Sequence, residues 1–163
     1  HYRLLTAISQ ILDVELAVEV GTYTGLGALC LAQGAEHVVT YDIVPHRDFP
    51  DSALVSPHAP TTIEQRIGDL SAPAFFRSQA DVLRSADLIF IDGPKDGNFE
   101  RVFGDLLYRE IRGNDCLVIW DDIHLLQMLT IWQDFPVTKL DATSLGHWSG
   151  TGITTTSKAT SGE

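Results

Sequence analysis

The chain has 163 residues, 44% of them hydrophobic and 20% charged, with a formal net charge of −11 at pH 7. That length buries one sizeable core without disulfide staples or a structural metal. A surface this acidic repels phosphate backbones and anionic lipid, which sets aside nucleic-acid and membrane partners and leaves neutral or cationic small molecules.

Helix-period and strand-like segments alternate along the chain, the pattern of parallel strands joined by crossover helices. Leu4, Leu5, Ile8, Ile11 and Leu12 recur at helical spacing and predict an amphipathic first helix. Leu16 to Val20 reads as a short apolar strand ending in a glycine turn. Thr24 to Gln33 reads as the helix that follows, with Gly34 at its C-cap. His37 to Tyr41 is the second strand, closed by Asp42. Residues 44 to 61 hold four of the seven prolines and no periodicity. Loops of that length are functional or disordered. Within it His46, Arg47 and His58 read as solvated residues, with a substrate lid as the alternative.

Ile63 to Ile67 forms the third strand, and Ser71 is placed to N-cap a helix carrying Phe75, Phe76, Val82 and Leu83 on one face. Asp87 to Ile91 is the fourth strand, and Phe99, Val102, Phe103, Leu106 and Leu107 make a helical stripe after it. Leu117 to Trp120 is the fifth, with a helix from about Asp122 to Trp132. Val137 to Leu140 and Gly152 to Thr156 read as final strands around the turn-rich run Gly146 to Gly150. Ser157 to Glu163 reads as a polar, disordered tail. No repeat and no domain boundary interrupts the pattern. The expectation is one α/β domain over residues 1–156: three αβα layers around a mostly parallel seven-stranded sheet whose last strand is antiparallel.

No apolar run approaches the roughly 20 residues of a membrane span, and the first residues do not read as a secretory leader, so none is expected. The chain starts at His1 rather than Met and so reads as processed or trimmed, with the cytoplasm as the expected compartment. Cys30 and Cys116 lie in apolar runs without metal-ligand spacing and read as small buried hydrophobes.

The first motif is the strand–turn–helix at Glu19 to Gly27. Glycines at 21, 25 and 27 permit a sharp turn and close approach of a ligand. Their spacing is not the G-x-G-x-x-G of a dinucleotide site. The acidic Glu19, ahead of Gly21, suits a cationic ligand better than a pyrophosphate. The run Ala17 to Gly27, with Thr22 and Tyr23 inside it, resembles motif I of class I S-adenosylmethionine-dependent methyltransferases. The resemblance implies a Rossmann-like methyltransferase fold in which this turn wraps the methionine part of the cofactor. It places Asp42 on the ribose hydroxyls and Gly68-Asp69 at the adenine. Glu19 as a strand-end charge, Asp42 as a turn former and Asp69 as a helix-start charge are the plain alternatives.

Ligands of parallel α/β sheets sit beyond the carboxyl ends of the strands. Strand four ends in Asp92-Gly-Pro-Lys95 and strand five in Asp121-Asp122-Ile-His124. Three carboxylates in one crevice repel one another unless protonated or neutralised, and a hard cation such as Mg²⁺ answers that. The pattern is similar to the metal-dependent O-methyltransferases of the catechol type. That resemblance implies Asp92, Asp121 and Asp122 as metal ligands, Asp92 also beside the cofactor, and Lys95 as general base; Asp122 departs from it, standing where that family has Asn. Asp-Asp-x-His is also similar to the sugar O-methyltransferases of macrolide tailoring, which implies His124 as base. A lysine base needs neighbours that loosen its proton, whereas imidazole titrates near neutrality. His124 is therefore slightly preferred, with Lys95 kept.

Asp121 and Asp122 as caps of the next helix, Asp92 in a plain turn, and Lys95 and His124 as exposed residues are the alternatives. His147 and Trp148 either close over the acceptor or form a packed turn. The expected reaction is methyl transfer from S-adenosylmethionine to a hydroxyl of a small molecule, assisted by Mg²⁺. A metal-independent methyltransferase and an inactive cofactor-binding module are the rivals, and a homodimer would fit an open site.

Overall fold

The computed structural model describes residues 1–156. The predicted tail from Ser157 lies outside them. Seven strands form one sheet: β1 (Leu16–Val20), β2 (His37–Asp42), β3 (Ile63–Ile67), β4 (Leu88–Ile91), β5 (Leu117–Asp121), β6 (Lys139–Asp141) and β7 (Thr151–Thr155). Their order is β3-β2-β1-β4-β5-β7-β6. The first five pair in parallel, and β7 runs antiparallel to both β5 and β6. The sheet is therefore mostly parallel with its last strand reversed, as the alternating pattern predicts.

Among the described residues five α-helices cover the sheet: α1 (Tyr2–Ile11), α2 (Leu26–Leu31), α3 (Pro73–Ser85), α4 (Phe99–Ile111) and α5 (Leu126–Asp134). Alternate strand residues sort onto two faces, since successive side chains of a strand point opposite ways. Val18, Val20, Ile89, Ile91, Val118 and Trp120 meet Phe76, Leu83, Phe103, Leu107 and Met128 of α3, α4 and α5. Ala17, Val38, Leu88, Phe90 and Ile119 meet Leu5 and Ala28 of α1 and α2. Both faces are covered, which is why β4 reads as an unbroken apolar run.

Four helix boundaries differ from the sequence reading. Helix α2 begins at Leu26, because Thr22 to Gly25 is spent on a turn closed by Gly25 N–H donating to the Thr22 carbonyl. Gly34 is not its cap; Ala32 is, and Gly34 presses on α1, where a Cβ would stand 2.4 Å from the Gln10 nitrogen. Ser71 does not cap α3, which starts at Pro73 with Ala72 before it, because the Ser71 hydroxyl is given to Asp69 instead. Helix α5 starts four residues later than expected, at Leu126, so Asp121 and Asp122 do not cap it and His124 precedes it. In α1 the apolar stripe is buried at Leu5 and half-buried at Ile8, while Ile11 and Leu12 are exposed. Both cysteines are free, with Cys116 buried and Cys30 half-buried.

Candidate active site

The strand order reverses between β1 and β4, both paired to each other but sending their chains to opposite sides, and crevices open at such switch points. A cavity of about 650 Å³ lies there, at the carboxyl ends of β1 to β4. Gly21, Tyr23, Asp42, Gly68, Asp69 and Asp92 line it, together with Phe49 and Phe99.

Local sequence explains the shape of the wall. Gly21 has φ of 101°. A Cβ there would stand 2.1 Å from the Asp92 carbonyl oxygen, so only glycine lets β1 turn this close to β4. The Gly21 and Thr22 amides both donate to the Tyr41 carbonyl, at 2.8 and 3.2 Å. Asp42 accepts from the Tyr23 amide at 2.9 Å and the Val44 amide at 3.0 Å, tying motif and loop together. Asp69 accepts from the Ser71 amide at 2.8 Å and its hydroxyl at 2.6 Å.

Glu19, Thr22, Gly25 and Gly27 lie beneath the turn rather than on the cavity wall. Thr40 donates to Glu19 at 2.6 Å and shares a hydrogen bond with Thr22 at 2.7 Å. A Cβ on Gly27 would stand 2.0 Å from Glu19 Oε1, so that glycine makes room for the carboxyl. Burial pushes the Glu19 carboxyl up to about 8, against the stabilising Thr40 hydroxyl and with Asp92 and Asp42 adding to the rise. At neutrality Glu19 therefore keeps its proton. There it braces the turn by accepting from the Thr40 hydroxyl.

The predicted loop docks instead of hanging free. The Ala53 amide donates to the Thr24 carbonyl at 2.8 Å, Leu54 packs on Gly25, and Phe49 meets Tyr23 edge-on at 4.8 Å between ring centroids. His46 bonds Ser52 at 3.0 Å and is not the solvated side chain expected, whereas Arg47 and His58 are exposed. No sequence signal marked Phe49 or Leu54, because a lone apolar residue in a proline-rich loop has no periodicity to reveal its partner.

Beyond the cavity, Asp92, Asp121 and Asp122 bring carboxylate oxygens within 4.8 Å of one another. Lys95 Nζ donates to Asp92 at 2.7 Å and lies 3.7 Å from Asp122, its side chain only 9% exposed. Burial, reinforced by Asp92 and Asp122 and opposed by Lys95, pushes the Asp121 carboxyl up to about 6. Its Oδ1 is buried without a hydrogen-bond partner. Tyr23, Lys95 and Asp122 all hold positive φ, at 44°, 60° and 61°, strain of the kind that clusters at functional sites. Glu100, fully buried at the start of α4, fixes the Lys95 loop by accepting from the Lys95 amide at 2.7 Å and the Gly97 amide at 3.1 Å. In sequence Glu100 reads only as a first-turn acid.

His124 stands apart from this cluster. Its Nε2 meets Asp141 of β6 at 2.9 Å, on the solvent side. His147 reaches the cluster instead: its Nδ1 bonds Ser149 at 2.5 Å, and the Ser149 hydroxyl donates to Asp122. Trp148, paired with it in the lid reading, is 81% exposed and covers nothing.

Residues 18–123 match the model of a family described as "Methyltransferase domain". The chain belongs to that family. A search of the curated proteins found no match. Among solved structures, the methyltransferase domain resembles an O-methyltransferase from Bacillus cereus in complex with S-adenosylhomocysteine, at TM-score 0.66 and 19% identity over 95% of this chain and 80% of that one. A methyltransferase from Podospora anserina bound to S-adenosylhomocysteine gives TM-score 0.69 and 14% identity over 93% and 76%. An N-methyltransferase from Bradyrhizobium japonicum gives 0.63 and 13% over 96% and 94%. These likenesses are of fold, and they span acceptor atoms of two kinds. No helix among the described residues is long and apolar enough to cross a membrane.

Proposed function

We propose that this methyltransferase moves the methyl group of S-adenosylmethionine to a hydroxyl of a small molecule at the Asp92–Lys95–Asp122 cluster. The single observation that carries the reading is the position of Lys95 Nζ, 2.7 Å from Asp92, which lines the cavity, and 3.7 Å from Asp122. The cavity supplies what a sulfonium cofactor needs: a close glycine turn at Gly21, Asp42 beside the ribose, and Gly68-Asp69 at the far end for the adenine. Tyr23 and Phe49 line it on the loop side, their rings edge-on to each other.

The acceptor oxygen attacks the methyl carbon, the carbon–sulfur bond breaks to leave a neutral thioether, and the hydroxyl proton passes to Lys95 Nζ in its neutral amine form, the ammonium having first given its own proton to solvent. Lys95 is the base in this reading and His124 is not, because Asp141 holds the His124 ring away from the carboxylates. The site's residues fit a divalent cation: Asp121 Oδ1 is buried and unpartnered, and Asp92, Asp121 and Asp122 are hard oxygen ligands close enough to share one. When bound, such an ion would neutralise the carboxylates and acidify the acceptor hydroxyl. Hydroxyl acceptors of the catechol or sugar kind are the class that this arrangement suits.

The test is methyl transfer from radiolabelled S-adenosylmethionine to a panel of catechols and sugars, with Mg²⁺ and with EDTA. Turnover that EDTA abolishes, and that Lys95→Met lowers by roughly 10²–10⁴-fold while His124→Ala spares it, is the expected result. A second reading has its own observation. Lys95 already pairs with Asp92, so the ammonium does part of a cation's work in a metal-independent enzyme. Turnover indifferent to EDTA would select that reading.

A further inference from the structure

A second ligand set converges on Asp121 from the opposite side. His1, Asp121 and His147 bring ligand atoms within 4.8 Å of one another. The Asp121 side chain is 4% exposed, and that of His1 is 11%. Both ring nitrogens of His1 and Oδ1 of Asp121 are buried without a hydrogen-bond partner. Three unsatisfied polar atoms at one spot are unusual in a folded protein and ask for an explanation. His1 Nδ1 lies 3.4 Å from Asp121 Oδ2, near enough for an ion pair yet not hydrogen-bonded. Two ligands about 2.1 Å from one ion at the tetrahedral angle stand about 3.4 Å apart.

The histidine opposite is oriented as a ligand would be. The His147 and His1 rings meet edge-on, 5.5 Å between centroids. His147 Nδ1 is tied to Ser149, whose hydroxyl is committed as donor to Asp122. Nδ1 must therefore carry the proton, which leaves the Nε2 lone pair free to coordinate. Fixing the tautomer through the other ring nitrogen is how metal-ligating histidines are held. Phe90 stands 5.6 Å from the His1 ring and gives the spot an apolar wall.

We infer that His1, Asp121 and His147 form a site for a borderline transition-metal ion such as Zn²⁺ or Co²⁺, separate from the all-carboxylate set of Asp92, Asp121 and Asp122. Two imidazoles and one carboxylate suit zinc, cobalt, nickel or iron and are poor ligands for Mg²⁺, which demands oxygens. Three protein ligands leave a coordination position open. Asp121 is common to both sets, so an ion held by the imidazoles shifts the carboxylate away from Asp92. The inference does not require methyl transfer to occur.

The experiment is titration of Co²⁺ into the apo chain, purified without a histidine tag, read by visible absorption. One equivalent should give a d–d spectrum of tetrahedral or five-coordinate cobalt. His147→Ala and His1→Ala should each weaken binding at least tenfold, while Asp92→Asn should leave it within twofold. A hundredfold excess of Mg²⁺ should not displace the ion, whereas Zn²⁺ should. Cobalt binding unchanged in both histidine variants would overturn the inference, as would a thiolate charge-transfer band from Cys30 or no binding at all. Circular dichroism of the variants shows that they are folded. Cofactor binding to the same variants stays intact if only this inference fails, and is missing from wild type if the methyltransferase reading fails.

Discussion

Gly21 is the residue on which the cofactor end of the site turns. A Cβ at φ of 101° costs about 1–2 kcal/mol in backbone terms, and here it also collides with the Asp92 carbonyl at 2.1 Å. Gly21→Ala should lower stability by roughly 2–4 kcal/mol and weaken S-adenosylmethionine binding more than tenfold by calorimetry. Unchanged affinity would mean that the turn does not face the ligand. Glu19 sits one layer below, and its proton makes a separate prediction. Its carboxyl is raised from 4.5 to about 8 in the fold. The folded state thus binds more protons than the unfolded chain between those values. The stability contribution is fully present below about pH 4.5 and is lost as pH climbs through 8. Glu19→Gln should flatten that loss, changing the stability difference between pH 5 and pH 9 by up to roughly 4 kcal/mol in urea melts. Equal slopes for the two proteins would show that Glu19 ionises freely. The glycines were legible because backbone needs leave a spacing signature. That Glu19 is a buried acid was not, because sequence records the residue but not the depth at which it ends.

Among the elements, the loop from Gly93 to Gly97 and the start of α4 act together. Each Glu100 oxygen accepts one amide, from Lys95 and from Gly97. Glu100→Gln keeps the shape but turns an NH₂ toward one of those amides. A buried donor then loses its acceptor, at about 1–3 kcal/mol. The Lys95 turn, held at φ of 60°, should relax and carry its ammonium away from Asp92 and Asp122. The expected signature is a kcat lowered at least tenfold with the KM for S-adenosylmethionine changed less than threefold, because Lys95 itself is not among the residues that line the cavity. A KM change as large as the kcat change would make Glu100 a general structural support. Strand and helix identities were legible from periodicity, and α4 was read to within its first turn. Element starts were not: Ser71 lost its capping role to Asp69, and Asp122 lost its own to the Lys95–Ser149 neighbourhood. A capping residue chooses between local and tertiary partners, and sequence shows only the local ones.

Across the whole molecule the parallel character of the sheet was legible from alternation but its order was not, and it is the order that brings the acids at the ends of β2, β4 and β5 to one rim. What stayed hidden depends on chain segments far apart in sequence: His1 against Asp121, His147 through Ser149 to Asp122, and the proline-rich loop on motif I. That long-range closure predicts how ligand binding stabilises the fold. S-adenosylhomocysteine should draw β1, β2, β4 and the docked loop together, since the cavity walls come from all four. At 100 times its dissociation constant a ligand adds about 2.7 kcal/mol. For a domain of this size each kcal/mol is worth about 2–4 °C, so the melting temperature should rise by roughly 5–10 °C. EDTA should leave that rise intact, because in the proposed reading the cavity lining holds the cofactor and the carboxylate cluster, not the cavity, holds the ion. NAD should produce no rise, since its pyrophosphate would face Asp42, Asp69 and Asp92 with no compensating cation on the wall. A rise with NAD equal to that with S-adenosylhomocysteine would refute the cofactor assignment. A rise that EDTA erased would instead move the ion into the cofactor pocket itself.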